Sequence, residues 1–294
     1  MPSFDFLQLD VFAARLFEGN PLAVVVGADA LDAPTMQRIA RWTNLSETTF
    51  LLRPTQPDAD YRVRIFTPRQ ELPFAGHPSV GSAYAAIEAG CVPARSTLVQ
   101  ECAAGLLPVQ VQGSGAMRII HVQAPPARIE RANAALAAAL ADALKVDLSA
   151  AAVHAIDNGP LWLVCDLGLA RSVRTLAPDL SAIAKLCLAH GAVGVGVFGA
   201  EDGGDAAMAV RAFCPADGIP EDPVTGSANA AIGALLHHRG DVARYGHRYV
   251  ASQGREVGRD GRVAVSIDAA SGTVTIGGQC VAGVRGTFTL DHST

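Results

Sequence analysis

Three side chains able to move protons stand in short turns of this 294-residue chain. Glu47 lies in "NLSETTF" behind Ser46, His77 in "ELPFAGHPSVGS", and Asp222 in "IPEDPVTGS" just ahead of Gly226 and Ser227. A carboxyl, an imidazole and a second carboxyl gathered in an apolar site can take a proton from carbon and return it. Taken singly, each has a plain structural role. Glu47 suits an ion pair at the start of a strand, His77 a turn ahead of Pro78, Asp222 the start of a turn, and Ser227 the first turn of a helix. Their joint placement on matching turns favours the catalytic role.

The turns match because the chain repeats itself. Arg64, Phe66, Pro68 and Pro73 find counterparts half a chain later in Arg211, Phe213, Pro215 and Pro220, and "GSAYAAI" from Gly81 in "GSANAAI" from Gly226. A single long period with two copies points to two related fold units and not to a solenoid. The expected fold is α+β, with two pseudo-symmetric lobes, each an antiparallel strand-wrapped central helix. The lobes are placed at residues 1–124 and 125–294, the last strands packing back on the first lobe.

The local patterns agree. Tyr61–Phe66 alternates apolar and polar residues as a half-buried strand does, and Ala207–Phe213 resembles it. A turn and an Ala-rich helix follow each, over Val80–Ala89 and Ala228–His238, with Gly90 and Gly240 as stops. Val122–Asn133 reads as a linker around Pro125–Pro126, and Ala132–Val146 as an amphipathic helix. Further strands are expected near Arg248–Ser252, Val263–Ile267, Thr273–Ile276 and Val281–Leu290.

Each turn presents backbone N–H groups at a helix start, where an anion is favoured. The two turns would form two walls of one pocket for a small carboxylate-bearing substrate. The copies differ in chemistry: His77 occurs only in the first, the Glu221–Asp222 pair only in the second, and the counterpart of Glu47's stretch, His190–Phe198, has no acid.

Composition narrows the classes further. Half the residues are apolar, 17% are charged and the net charge is −5, without a basic block, so no nucleic-acid partner is expected. The N-terminal "MPSFDFLQLD" lacks signal-peptide features and no run reaches a membrane span, so a soluble cytoplasmic protein without a membrane partner follows. The 6 cysteines are widely spaced, with no C-x-x-C pair and no metal-ligand spacing; they read as buried free thiols. Gly191–Gly204 is Gly-rich but lacks the spacing of a P-loop or dinucleotide fingerprint, so no nucleotide and no metal is expected.

The blocks "DVFAARLFEGNPLAVV", "NLSETTF", "FTPRQELPFAGHPSVGSA", "DNGPLWLV", "EDPVTGSANAA" and "SQGREVGR" resemble, in type and order, those of the phenazine-biosynthesis PhzF-like isomerase family. That resemblance implies a diaminopimelate epimerase-like fold, a homodimer and catalysis without a cofactor. It implies Glu47 as the proton-shuttling acid/base, with Ser46, Gly76, His77, Asp222, Gly226 and Ser227 binding the substrate. The Gln253–Arg262 segment departs from the family pattern, with Val257 and Asp260 in place of Met and Pro.

Epimerases of this fold use two opposed thiols, whereas the aligned positions here are Ala75 and Pro223, and Cys214 stands before its turn. A single carboxyl base on one face suits moving a proton between carbons of that face, which is isomerisation. A free Glu has a pKa of about 4.3, so burial or the closeness of Asp222 would have to raise it. The alternatives are a dehydratase or lyase on a hydroxylated cyclic amino acid, and a non-catalytic small-molecule or protein-interaction module.

Overall fold

The computed structural model describes residues 2–290. The chain divides into two compact units, one formed by Met1–Gln123 with Gly277–Thr294 and the other by Ala124–Ile276. The first is therefore discontinuous in sequence.

In the first unit, β1 (Ser3–Val11) runs antiparallel to β2 (Asn20–Val26) on one side and to the strand Cys280–Thr289 on the other. The chain then crosses through α1 (Ala33–Thr43). Asp32 caps this helix by accepting from the Thr35 N–H at 2.9 Å, Pro34 occupies its first turn, and Asn44 ends it at φ 52°. That crossover lets β3 (Glu47–Leu52) pair parallel with β2. Next, β4 (Tyr61–Phe66) runs antiparallel to β3 and to the short β5 (Glu71–Leu72).

Central to this unit is α2 (Gly76–Glu88), where even Ser79 and Ser82 are fully buried. It packs against β1, β2, β3 and β4. A Cβ on Gly81 would lie 2.5 Å from Leu22 Cδ2 and 2.8 Å from Val11 Cγ2, so glycine is what lets helix and sheet approach. Beyond it, β6 (Thr97–Cys102) pairs parallel with β4, β7 (Gly105–Gln112) antiparallel with β6, and β8 (Ile119–Gln123) antiparallel with β7.

The second unit opens with β9 (Arg128–Arg131), followed by α3 (Ala134–Leu144), capped by Asn133. β10 (Val153–Asp157) is antiparallel to β9 and to β11 (Leu161–Leu169). Two helices, α4 (Ala170–Arg174) and α5 (Leu180–His190), carry the chain over to β12 (Gly194–Ala200), parallel to β11. β13 (Met208–Cys214) is antiparallel to β12 and to β14 (Ile219–Asp222). After α6 (Gly226–Arg239), β15 (Arg248–Gln253) pairs parallel with β13, and β16 (Gly261–Ile267) antiparallel with β15. β17 (Val274–Gly278) contains the boundary, and β18 (Cys280–Thr289) is the strand already placed against β1. From β10 to β16 the pairing senses run in the same order as from β1 to β7, with α6 where α2 stands. Among the pairings described above, each unit is mostly antiparallel, with two parallel pairings.

Several expected boundaries move. Both long helices begin earlier than the Ala-rich runs, at Gly76 instead of Val80 and at Gly226 instead of Ala228. First-turn N–H groups have no intrahelical acceptor, so Pro78 costs the helix nothing there. The linker expected over Val122–Asn133 shrinks to residues 124–127 around the two prolines, flanked by β8 and β9. Cys91 is exposed and Cys102 half-buried, against the expectation of uniformly buried thiols; Cys165, Cys187, Cys214 and Cys280 are buried, and none of the six is in a disulfide. Among the described residues no helix is long and apolar enough to cross a membrane.

Candidate active site

In the first unit the decisive elements are the start of β3 and the first turn of α2. Glu47 is the first residue of β3, and Ser46 occupies the bend behind it. Thr48 Oγ1 lies 2.6 Å from Thr43 Oγ1, tying the strand's start to the end of α1. Thr49 Oγ1 accepts from Ser82 Oγ at 2.9 Å, tying the strand to α2. Farther along, Gln100 Nε2 donates to Ser79 Oγ at 3.0 Å while its Oε1 accepts from Tyr61 OH at 3.2 Å. The groups that tie α2 to the sheet, Ser79, Ser82, Thr49, Gln100 and Tyr61, are all buried and paired.

That scaffold brings Glu47 and His77 together. His77 is the second residue of α2, and its Nε2 lies 3.4 Å from Glu47 Oε2, the side chains being 6% and 16% exposed. The separation exceeds that of an ordinary N–H···O bond. Burial drives the imidazole pKa down to about 3, so at neutral pH His77 is uncharged and the contact is not an ion pair. Gly76, the first residue of the helix, is buried.

In the second unit the turn between β14 and α6 carries the other expected residues. The acidic pair seen in the sequence divides by partner. Glu221 forms a two-pronged ion pair with Arg211, at 2.9 Å to Nε and 2.7 Å to Nη2. The first unit has the same pair in Arg64 and Glu71, at 2.6 Å on both prongs, so an acid at this place is not unique to the second copy. Asp222 instead accepts from Thr225 Oγ1 at 2.5 Å and is 7% exposed. Gly226 and Ser227 open α6. Ser227 Oγ accepts from the Trp162 indole N–H at 3.2 Å, and its carbonyl accepts from Asn158 Nδ2 at 2.9 Å. Thr225, Asn158 and Trp162 were not picked out from the sequence, although "NGPLW" recurs there as a counterpart of "GNPLA".

Cys214 closes β13 ahead of the turn Pro215–Asp217, and Ala75 caps α2 without a thiol. Among the described residues no group of three His, Cys, Asp or Glu is placed to hold a metal ion. The arrangement available for chemistry is thus a carboxyl beside a neutral imidazole in one unit and a carboxyl beside a hydroxyl in the other.

A family profile described as "Phenazine biosynthesis-like protein" matches residues 9–286. The chain is 38% identical over 295 residues to antisense-enhancing sequence 1 of Schizosaccharomyces pombe, covering 96% of this chain and 99% of that protein. It is 34% identical to trans-2,3-dihydro-3-hydroxyanthranilate isomerase of Pseudomonas aeruginosa, covering 92% of each. A solved PhzF-family phenazine biosynthesis protein from Bacillus anthracis superposes with a TM-score of 0.84 at 26% identity, covering 99% of this chain and 100% of that one. The likeness of fold extends to a probable proline racemase from Agrobacterium radiobacter, with a TM-score of 0.68 at 16% identity, covering 98% and 93%.

Proposed function

From the chain's membership of the phenazine biosynthesis-like PhzF family, we propose that it is a cofactor-independent isomerase that moves a proton between carbons of a small, cyclic, carboxylate-bearing substrate. The 34% identity to an enzyme named for isomerising a dihydro-hydroxyanthranilate supports both the reaction class and that kind of substrate. The observation that carries the mechanism is the contact of Glu47 with a neutral His77.

Glu47 takes the proton as the C–H bond breaks, the electron pair enters the substrate's conjugated system, and the double bond shifts. The same carboxyl then returns the proton to a second carbon on that face. No electrons leave the substrate and no co-reactant is needed. With the imidazole neutral, Glu47 faces a dipole and not a cation, which suits a group that must both take and give back a proton. His77 in the first unit and Asp222 in the second are each read as holding a hydroxyl or amine of a substrate. Ser46, Gly76, Gly226 and Ser227 bind its remaining polar groups, the helix-start N–H groups of Gly76 and Gly226 being suited to a carboxylate. A single carboxyl base does not require the paired thiols of racemases, consistent with Ala75 and Pro223 at the aligned positions.

We read the two units as copies of one ancestral unit, residues 1–124 and 125–294 in first outline, and the matching order of pairings supports this. The active species is read as a cytoplasmic homodimer acting on a small molecule, without nucleic-acid or membrane partners; the net charge of −5 supports the absence of nucleic acid. A non-catalytic binding role has one observation in its favour, the name of the 38%-identical S. pombe relative, which is not that of an isomerase.

Proton NMR in deuterated buffer separates the two. Wild type and Glu47→Gln are incubated with trans-2,3-dihydro-3-hydroxyanthranilate and a panel of cyclic amino acids. Isomerisation or deuterium uptake with wild type alone supports the isomerase. Silence across the panel from folded wild type favours the binding role, and loss of one water from a substrate would make the chemistry a dehydration.

A further inference from the structure

Behind the Asp222 turn stands Gln253, the last residue of β15, fully buried and using its whole amide. Its Oε1 accepts from the Thr225 backbone N–H at 3.0 Å. Because that donor is a main-chain group, it settles which end of the amide is oxygen. The same oxygen accepts from Asn229 Nδ2 at 3.0 Å, so α6 is held one turn further in. Nε2 must then donate, and it does so to the Asp222 carbonyl at 3.0 Å and to Thr225 Oγ1 at 2.9 Å.

The last bond has a consequence for Asp222. A hydroxyl carries one proton. Thr225 Oγ1 accepts from Gln253 on one lone pair and donates its proton to Asp222 Oδ2 at 2.5 Å, so Oδ2 is the acceptor of that bond. Hydrogen-bond polarity therefore runs one way, from Gln253 through Thr225 to Asp222.

The chain after Gln253 is moulded to the same turn. Gly254 has φ +99°, and a Cβ there would lie 2.5 Å from the Pro223 carbonyl oxygen. A Cβ on Gly261 would lie 2.3 Å from Val224 Cγ2. Glu256 is tied to Arg174 at 3.1 Å, and Arg174 in turn to Ser252 Oγ at 2.6 Å, next to Gln253. The segment that departs from the family pattern is thus anchored on both sides of the glutamine.

We propose that Gln253 is a positioning residue that, through the Thr225 hydroxyl, orients the Asp222 carboxylate and holds it as an acceptor for a donor group of the substrate, an amine or a hydroxyl. The assignment rests on Asp222 being a substrate-binding residue, as argued above.

The test reads Asp222 directly. Full-length protein carrying ¹³C-carboxyl aspartate is titrated by NMR, with the Asp222 signal assigned by its loss in Asp222→Asn. Thr225→Val should raise the titration midpoint of Asp222 by about one pH unit, as expected on removing a hydrogen bond to a carboxylate, while Thr225→Ser stays at the wild-type value. Gln253→Met should also raise it, and should add nothing further in the Thr225→Val background, because its effect passes through the hydroxyl. An unmoved midpoint in Thr225→Val, or an equal effect of Gln253→Met with and without the hydroxyl, overturns the proposal. If Gln253→Met does not fold, the Thr225→Val and Thr225→Ser comparison still decides whether the hydroxyl holds the carboxylate. With trans-2,3-dihydro-3-hydroxyanthranilate, Thr225→Val and Gln253→Met should raise KM about tenfold with kcat nearly unchanged. Absence of turnover by wild type would count against the isomerase reading, while the titration would still decide the positioning role.

Discussion

His77 Nε2 and Glu47 Oε2 are 3.4 Å apart on two elements, α2 and β3, that the Ser82–Thr49 hydrogen bond ties together. Enclosure keeps the imidazole neutral, as its pKa of about 3 states. A protonated His77 would clamp the carboxylate in a charge-assisted bond. The neutral ring leaves the carboxyl dipolar company, and the consequences of that differ for catalysis and for stability.

For catalysis, Glu47→Gln keeps size and hydrogen-bonding capacity but cannot take up a proton. Turnover should fall by about a thousandfold, in the range of a lost general acid/base, with the fold unchanged. Deuterium incorporation into substrate is the measurement, with melting temperature as the control. Undiminished incorporation in the folded variant would remove Glu47 from the mechanism.

For stability, the neutral state of His77 has a sign. In the unfolded chain the ring takes a proton below pH ~6.5, whereas the folded ring resists protonation down to about 3. The unfolded state therefore binds more protons between these values, and stability declines as pH falls from about 6.5 towards 3, by up to about 1.4 kcal/mol per pH unit for one such group. Above that window both states are neutral and the contribution is flat. His121 and His154 are depressed by burial in the same direction and add to the wild-type slope. Urea denaturation at pH 7 and pH 5 should show a smaller loss in His77→Gln than in wild type. Equal losses would mean that His77 is protonated in the folded protein.

Much of this was legible in the chain. Tyr61–Phe66 alternates with period two because one face meets the core, and it is a strand over just those residues. The repeat of "GSAYAAI" as "GSANAAI" marks both enclosed helices, since only small residues let a helix be wrapped so closely. Their true starts were not legible, because Gly-His-Pro at α2 and the Pro-Val-Thr-Gly run into α6 look like turns, and first-turn residues make no intrahelical N–H bond that propensity could register. The split of Glu221 from Asp222 depends on which residue of β14 faces Arg211, a matter of register that sequence leaves open. Gln253 was invisible for another reason. Its role lies wholly in bonds to residues distant in sequence.

Gly81 and Gly233, the interior glycines of α2 and α6, should respond differently to alanine. In an open helix Gly→Ala stabilises by up to about 1 kcal/mol. At Gly81 the added methyl would stand 2.5 Å from Leu22 and 2.8 Å from Val11, both fully buried, so overpacking of about 1–3 kcal/mol wins and Gly81→Ala destabilises. At Gly233 the nearest atom is Val274 Cγ1 at 3.0 Å, a lesser intrusion, and the net effect should be smaller. Thermal unfolding of both variants decides it; a Gly233→Ala loss equal to that of Gly81→Ala would refute the packing argument.

The paired arginines offer a sharper contrast, because one geometry occurs at two depths. Arg211 and Glu221 are 7% and 8% exposed, and Arg211 also donates to the carbonyls of Val173 and Leu176 at 3.3 and 2.8 Å. Removing the arginine leaves a buried carboxylate and two bare carbonyls, a loss of about 3–5 kcal/mol for Arg211→Met. Arg64 and Glu71 are 22% and 35% exposed, so water takes over when the pair is broken, and Arg64→Met should cost about 1 kcal/mol or less. Replacing both partners at the buried site, Arg211→Met with Glu221→Leu, removes the stranded charge and should recover part of the loss. Urea denaturation of the single and double variants measures all three. Equal costs at the two sites would show that depth is not what distinguishes them, and no recovery in the double variant would show that the bonds to Val173 and Leu176, and not the ion pair, hold that turn.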